Sequence, residues 1–237
     1  MKDCFKIEKI VADIYLVTEP YFRGHANLFL LTGLPFDLLV DAGLGLCDLK
    51  KFLTSRGFRP KVVITHGHFD HIGGLSHFTD EDVLVSPLTA ANIVEKRLWG
   101  LNFLKPEYFD SQHTREVIGK SPPEVCADFA IRLPKMTPSE ISEISIGERL
   151  LRIISLPGHT DDSIVLHDEK NRMLVTGDML YDGGIYADFP NSDKTAFKRS
   201  LNHLRTLDFE YVLPGHNEIL SRAQAMRVID RWHSWLC

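Results

Sequence analysis

Between Thr65 and Gly74 the chain reads THGHFDHIGG, and His66, His68, Asp70 and His71 crowd into six positions of it. Imidazole and carboxylate side chains hold divalent cations, and their spacing indicates how. The apolar run KVVIT at residues 61–65 predicts a short buried strand that feeds into His66. In extended chain, residues two apart face the same way, so His66 and His68 can grip one ion. The IGGL that follows lets the chain turn into a helix, leaving Asp70 and His71 near its start and aimed at a neighbouring position. Two ions, or one ion beside a carboxylate, fit that layout. A closed structural site takes four protein ligands, whereas a catalytic one leaves a position for water. Four residues cannot satisfy two ions, so further ligands must come from distant parts of the chain. His159 in LPGHT, Asp178 in VTGDM and His216 in LPGHN are the candidates, each just past a predicted strand and preceded by glycine. A single Gly-His or Gly-Asp is often only a turn. Three of them in this order after the cluster carry weight together, because α/β proteins build their sites in loops at strand ends.

The elements that must position these residues are apolar strands alternating with helices. Residues 10–17, 27–32 and 37–40 predict three strands, and 44–56 an amphipathic helix closed by Gly57. Residues 83–86 predict another strand, and Pro87 suits the first turn of a helix through about residue 98. Residues 99–138, with Trp99, Phe103, Tyr108 and Phe109 followed by several prolines, read as a helical or irregular insert near the site within a single domain spanning 1–237. Strands follow at 149–155, 163–167, 172–176 and 211–213, with a helix at 194–207 and a closing helix at 221–236 capped by Ser221. Strands that alternate with helices but also pair as hairpins imply an α/β sandwich with mixed sheets.

Composition excludes several function classes. The net charge of −5 opposes a nucleic-acid surface, whose mark is a basic patch. No apolar run reaches the length of a membrane span, and the N-terminal residues lack a secretory apolar core. Cys4, Cys47, Cys126 and Cys237 lie far apart with no CxxC, so reduced thiols and a cytoplasmic setting are expected. His25, His77, His113, His167, His203 and His233 lack metal spacing and read as surface or packing residues, though His25 and His113 lie in segments that could approach a substrate.

Asp41 (LLVDAG), His66-x-His68-x-Asp70-His71, His159, Asp178 and His216, in that order, resemble the metallo-β-lactamase superfamily. The resemblance implies a four-layer αβ/βα sandwich with two mixed β-sheets and a cleft site at the sheet edges. It implies that His66, His68 and His159 hold one Zn2+, that Asp70, His71 and His216 hold a second, and that Asp178 bridges them. Fe or Mn accept the same ligands. Asp41 then orients a ligand from behind. The best-known β-lactamase subclass carries other residues at the positions of His71 and Asp178, whereas His and Asp there resemble the superfamily's thioesterases, lactonases and phosphodiesterases. The nuclease branch brings a basic exosite, unlike this acidic chain. The C-terminal glutathione-binding extension of glyoxalase II has no counterpart in residues 217–237.

Tyr181 stands three residues after Asp178, a spacing shared by the superfamily's acyl-homoserine lactonases and its acyl-coenzyme A thioesterases. RGHANLFLL, VDAGLGL, THGHFDHIGGL, LPGHTDDSIVLHDEKNRMLVTGDMLYDGG and VLPGH resemble the thioesterase segments in the same order, whereas the stretch between Val85 and Leu150 resembles them much less. The expected activity is hydrolysis of acyl-coenzyme A-type thioesters by hydroxide generated at two metals. Asp70 takes the nucleophile's proton and Tyr181 donates to the oxyanion. A thiol of pKa about 8.5 leaves readily as thiolate. An N-acyl homoserine lactonase, a glyoxalase II-like hydroxyacyl-thioester hydrolase and a metal-holding sensor are the alternatives. The partner is a small-molecule thioester or lactone, and a homodimer is compatible with the sequence. LWGLNFLKPEYF could wall an acyl pocket. Lys96, Arg97, Lys105 and Arg115 could meet coenzyme A phosphates, a solvated face being their plainer reading.

Overall fold

Two runs of strands flank a mostly helical middle. The computed structural model describes residues 3–11, 13–95 and 100–236. Strands β1 (Lys6–Val11), β2 (Ile14–Thr18), β3 (Leu28–Leu31) and β4 (Asp37–Val40) pair antiparallel in chain order. Helix α1 (Leu49–Thr54) carries the chain back, so β5 (Pro60–Val63) lies parallel to β4. The short helix α2 (Phe69–Ile72) follows, and β6 (Val83–Leu84) completes a six-stranded sheet. The middle holds α3 (Pro87–Val94), α4 (Ser111–Ile118) and α5 (Pro122–Asp128). Strands β7 (Glu143–Ile146), β8 (Arg149–Ser155), β9 (Ile164–Asp168) and β10 (Met173–Gly177) form an antiparallel run. After α6 (Lys194–Thr206), β11 (Tyr211–Pro214) returns parallel to β10, β12 (Leu220–Ser221) takes the edge, and α7 (Arg222–Trp235) ends the described chain.

Strand periodicity builds the layers. Phe29 and Leu31 of β3 point into the core between the sheets, where they meet Ile144, Leu151, Leu166 and Val175. Their neighbours Leu28 and Leu30 point the other way, toward Leu49 and Leu53 of α1 and Ile93 of α3. On the far side, Val165, Leu174 and Val212 pack beneath Phe197 and Leu201 of α6 and Ile229 and Trp232 of α7. Helix, sheet, sheet, helix is the four-layer sandwich expected, with mixed sheets. The ends of β4, β5, β8, β10 and β11 supply Asp41, His66, His159, Asp178 and His216 from loops that start within three residues of each strand.

Several expectations are corrected. Residues 10–17 are not one strand: β1 and β2 form a hairpin, and the carbonyl of Asp13 accepts from the Thr32 amide at 2.8 Å. Residues 44–48 are loop rather than helix, because Gly43 and Gly45 hold positive φ and the helix begins only where Asp48 accepts from the Lys51 amide. Helix α3 ends at Val94, and Lys96, Arg97, Leu98 and Trp99 lie outside the described residues. Strands β7 and β12 were not anticipated; one has four residues and the other two. The reduced-thiol reading fails for two of the four cysteines. Cys4 and Cys47, 43 residues apart, form a disulfide, a pairing that sequence spacing does not announce. Cys126 is a free thiol, and Cys237 is outside the described residues. Such bonds persist in oxidising compartments, so the cytoplasmic setting loses its thiol argument. Among the described residues no helix is long and apolar enough to cross a membrane.

Candidate metal centre

Four of the five imidazoles are turned by what lies behind them. Thr65 donates its backbone amide to Asp41 Oδ1 at 2.8 Å and its hydroxyl to Oδ2 at 2.9 Å. The hydroxyl's free lone pair then accepts from His66 Nδ1 at 3.0 Å. His71 Nδ1 donates to Asp41 Oδ2 at 2.7 Å, His159 Nδ1 to the Tyr186 carbonyl at 2.8 Å, and His216 Nδ1 to the His25 carbonyl at 3.1 Å. Because those four outer nitrogens carry the hydrogen, the four Nε2 atoms are bare lone pairs. They face inward. His68 is turned the other way round, with Nδ1 at 3.0 Å from His159 Nε2.

These atoms fall into two sets. His66, His68, His159 and Asp178 form one, and Asp70, His71 and His216 the other, with the ligand atoms of each set within 4.8 Å of one another. Asp178 Oδ2 lies 3.5 Å from His159 Nε2 and 3.4 Å from His216 Nε2, and its Oδ1 lies 3.4 Å from His71 Nε2. Asp70 Oδ2 lies 3.4 Å from His216 Nε2 and 3.8 Å from His71 Nε2. Ligand bonds of about 2.0–2.2 Å place neighbouring ligand atoms roughly 3–3.6 Å apart, the range in which four of these five separations fall. Among the described residues, His66 Nε2, His71 Nε2 and Asp178 Oδ1 are buried with no hydrogen-bond partner. Buried polar atoms left bare in this way fit bound ions. The donor set therefore makes a metal-binding site of histidine and aspartate.

Electrostatics agrees. Burial, then mutual repulsion, holds His66 and His68 well below the usual imidazole range, and burial lowers His159. Burial also opposes charge on His71, but Asp41, Asp70 and Asp178 outweigh it and raise that imidazole well above the range. His216 is raised too, against its own burial, by Asp178 and Asp70. Asp178 is held well below the carboxylate range by His216 and His71, although burial works the other way. The carboxylates thus favour positive charge at His71 and His216, as they would favour a bound cation.

The backbone is shaped for this. Gly215 precedes His216, and a Cβ there would lie 2.4 Å from Asp178 Oδ1 and 2.8 Å from the Gly177 carbonyl carbon, so a larger residue would push two ligands apart. Asp41 itself has φ +66°, a conformation that asparagine and aspartate tolerate best among side-chain-bearing residues. Asp41→Asn is therefore an expected probe of orientation alone. Its amide offers one acceptor oxygen where the carboxylate offers two, so an NH2 group must face either the Thr65 amide or the Thr65 hydroxyl and His71, and His71 loses its anionic anchor. Metal affinity, read by competition with a chromophoric chelator, is expected to fall about 10–100-fold. Unchanged affinity would remove Asp41 from the site.

Two positioning residues escaped the sequence analysis. Asn27 donates Nδ2 to the carbonyls of Pro214 and Asn217 at 3.0 and 2.8 Å, and so holds the loop that carries His216. Glu19, fully buried, accepts from the Tyr21 hydroxyl at 2.6 Å and the Leu44 amide at 2.8 Å, and so ties down the loop after Asp41. Their one sequence signal is a polar residue next to an apolar strand. Burial raises the Glu19 carboxyl from 4.5 to about 7. Between those values the folded metal-free chain keeps a proton that the unfolded chain has released, so stability falls as pH rises through this window, by roughly 3 kcal/mol in all. In the apo protein, the urea-derived stability of wild type relative to Glu19→Gln is expected to drop by about that much between pH 4.5 and 7.5. A difference independent of pH would refute the raised carboxyl.

A cavity of about 1120 Å³ opens on the centre, and Asp70, Asp178, His68, His159, His216 and Tyr181 reach it. The Tyr181 hydroxyl donates to the Gly184 carbonyl at 2.7 Å, and burial, then Asp178, raises its pKa, so it keeps its proton. Of the two histidines singled out, His25 lines this cavity, whereas His113 bonds the Asp3 carbonyl through Nε2 at 2.9 Å on another face. Lys105 and Arg115 do not line the cavity; Lys6 and Arg23 are the cations that do among the described residues. Phe103 and Tyr108 reach it from the middle segment, joined by Phe22, Phe69, Tyr186 and Phe189.

Residues 36–216 match the model of the metallo-beta-lactamase superfamily. The chain is 32% identical over 251 aligned residues to an acyl-coenzyme A thioesterase MBLAC2 of Gallus gallus, covering 97% of this chain and 87% of that one. It is 29% identical to the Homo sapiens protein of the same name, over 93% and 84%. Among solved structures, a metallo-beta-lactamase from Pontibacter korlensis superposes with a TM-score of 0.71 at 18% identity over 98% of each chain, a likeness of fold.

Proposed function

Because the chain belongs to the metallo-β-lactamase superfamily and is a metal-dependent hydrolase, we propose that it hydrolyses acyl thioesters of the coenzyme A type with a pair of zinc ions. The observation that carries the thioester reading is the likeness, over 97% of this chain, to a relative named as an acyl-coenzyme A thioesterase. His66, His68 and His159 would hold one ion, Asp70, His71 and His216 the other, and Asp178 would touch both. Metals so bound acidify a water molecule and polarise a carbonyl oxygen.

The chain's own residues do the rest. Asp70, at the cavity wall with its pKa raised by burial, takes the proton of the attacking water on a carboxylate oxygen. Tyr181 rotates its hydroxyl hydrogen away from the Gly184 carbonyl and donates to the oxygen that gains charge. The water oxygen bonds to the carbonyl carbon, the carbon–sulfur bond breaks, and the thiolate leaves and is later protonated. The whole chain serves as one unit, with 99–138 as an insert that shapes the cavity.

The test is a substrate panel with the metal-loaded protein: acyl-coenzyme A esters, S-lactoylglutathione and N-acyl homoserine lactones. Coenzyme A ester cleavage that stops with chelator and returns with zinc is expected. Lactone opening without thioester cleavage would make the chain a lactonase. Cleavage of S-lactoylglutathione alone would make it a glyoxalase II-like enzyme, and ligand binding without any turnover a sensor.

A further inference from the structure

Phe189 leans on one half of the metal centre, and Phe103 and Tyr186 gather on Phe189. The Phe189 ring centroid lies 4.6 Å from that of His68 and 5.6 Å from that of His159. Phe103 lies 6.2 Å from Phe189 and 5.1 Å from Tyr186. Tyr186 is tied to the centre through its carbonyl, which accepts from His159, yet its side chain is 44% exposed. Phe103 comes from the middle segment and the other two from the loop after β10, so two separate segments converge to present this apolar surface to the cavity. One exposed ring, Tyr186, and two half-buried ones gathered at a cavity mark a recognition surface. The opposite side carries the Tyr181 ring, 5.6 Å from that of His216, among polar groups. His216 hangs on the carbonyl of His25, and two residues before His25 stands Arg23, exposed and with no ion pair among the described residues. Lys6, the other cavity cation, is paired with Glu8 at 2.5 Å.

We propose that Phe103, Tyr186 and Phe189 form the acyl-chain wall and that the thiol carrier leaves the other way, past His216, with its phosphates toward Arg23. This rests on the thioester hydrolysis proposed above. A thioester carbonyl held at the centre sends its two arms in opposite directions, and the side of His68 and His159 offers the cluster of three rings. Tyr186 and Phe103 set specificity by burying methylenes.

Acyl-coenzyme A esters of 2 to 12 carbons test the wall. In wild type, kcat/KM is expected to rise up to about fourfold per methylene until the wall is covered. Phe103→Ala and Tyr186→Ala flatten that rise, whereas Leu150→Ala, an exposed apolar residue on β8, retains it. Calorimetric binding of the free fatty acids to the metal-loaded protein gives the same series without turnover. A flat wild-type series, or a slope unchanged in both aromatic variants, overturns the wall and leaves thioester hydrolysis standing. A steep binding series with no thioester turnover keeps the wall and removes the reaction. Arg23→Ala is expected to raise KM about two- to fivefold for coenzyme A esters and to leave phosphate-free N-acetylcysteamine esters unaffected. An equal effect on both overturns the direction of binding.

Discussion

Asp178→Ala is expected to abolish hydrolysis, with kcat/KM down about 10³-fold or more and the metal content of the purified protein reduced. Asp178 is the residue whose two oxygens face both ligand sets: Oδ2 toward His159 and His216, Oδ1 toward His71. Removing it leaves five imidazoles without the anion between them. Asp70 remains as the one carboxylate, and in the proposed two-ion centre each cation would lose an oxygen donor and the negative charge between them. The transition-state charge that metals neutralise is worth several kcal/mol, and about 4 kcal/mol corresponds to the 10³-fold loss. Asp178→Asn keeps the shape but not the charge and should fall between. Steady-state kinetics beside metal analysis by mass spectrometry distinguishes the outcomes. Full metal content with full activity in the alanine variant would separate Asp178 from the centre. The Asp41→Asn effect is smaller because Asp41 acts through His71 and Thr65 and is not among the grouped ligand atoms.

The contrast shows what the sequence could and could not convey. All seven ligand candidates are legible because each is a side chain of distinctive type at the end of an apolar run, and the structure gathers all of them. Asp41 is legible for the same reason. Two of the groups that set imidazole tautomers are not, because the carbonyls of His25 and Tyr186 are backbone atoms common to every residue. The aromatic wall is half legible. Phe103 stands out in an apolar stretch, but Tyr186 and Phe189 lie in an unremarked loop that only folding brings to it. The Cys4–Cys47 bond depends on a contact across 43 residues, which no local pattern encodes. Strands β1 and β7 are hard to place for another reason. β1 is exposed at every residue but Ile7, and β7 alternates over only four residues, so neither shows a sustained apolar signal.

The glycines after His71 show how a correct observation can carry the wrong cause. Their sequence reading is conformational: Gly73 and Gly74 let the chain turn. Gly73 has φ −56° and ψ −38°, an ordinary right-handed conformation open to any residue. What excludes a side chain is space. A Cβ on Gly73 would lie 2.1 Å from the Leu44 carbonyl oxygen and 2.8 Å from that of Gly43, and both neighbours are backbone that cannot swing aside. The approach is close because the segment bearing Asp70 and His71 is stitched to the loop after Asp41. Ala42 donates its amide to the His71 carbonyl at 2.7 Å, and Gly74 donates to the Gly43 carbonyl at 3.3 Å. Gly73→Ala is therefore expected to cost about 3 kcal/mol or more, since overpacking against fixed backbone is not relieved by repacking side chains. For a chain of this length that lowers the melting temperature by roughly 6–12 °C. The two segments that must part are those carrying Asp41 and His71, so metal affinity should fall with stability. Gly184→Ala is the comparison, because a Cβ there meets nothing nearer than the Tyr186 hydroxyl at 4.0 Å, and its stability should stay within about 0.5 kcal/mol of wild type. Thermal unfolding of both metal-loaded variants decides. Equal melting temperatures would mean that the backbone contact yields without cost, and the glycine would then owe its place to something other than the seam between these two ligand-bearing segments.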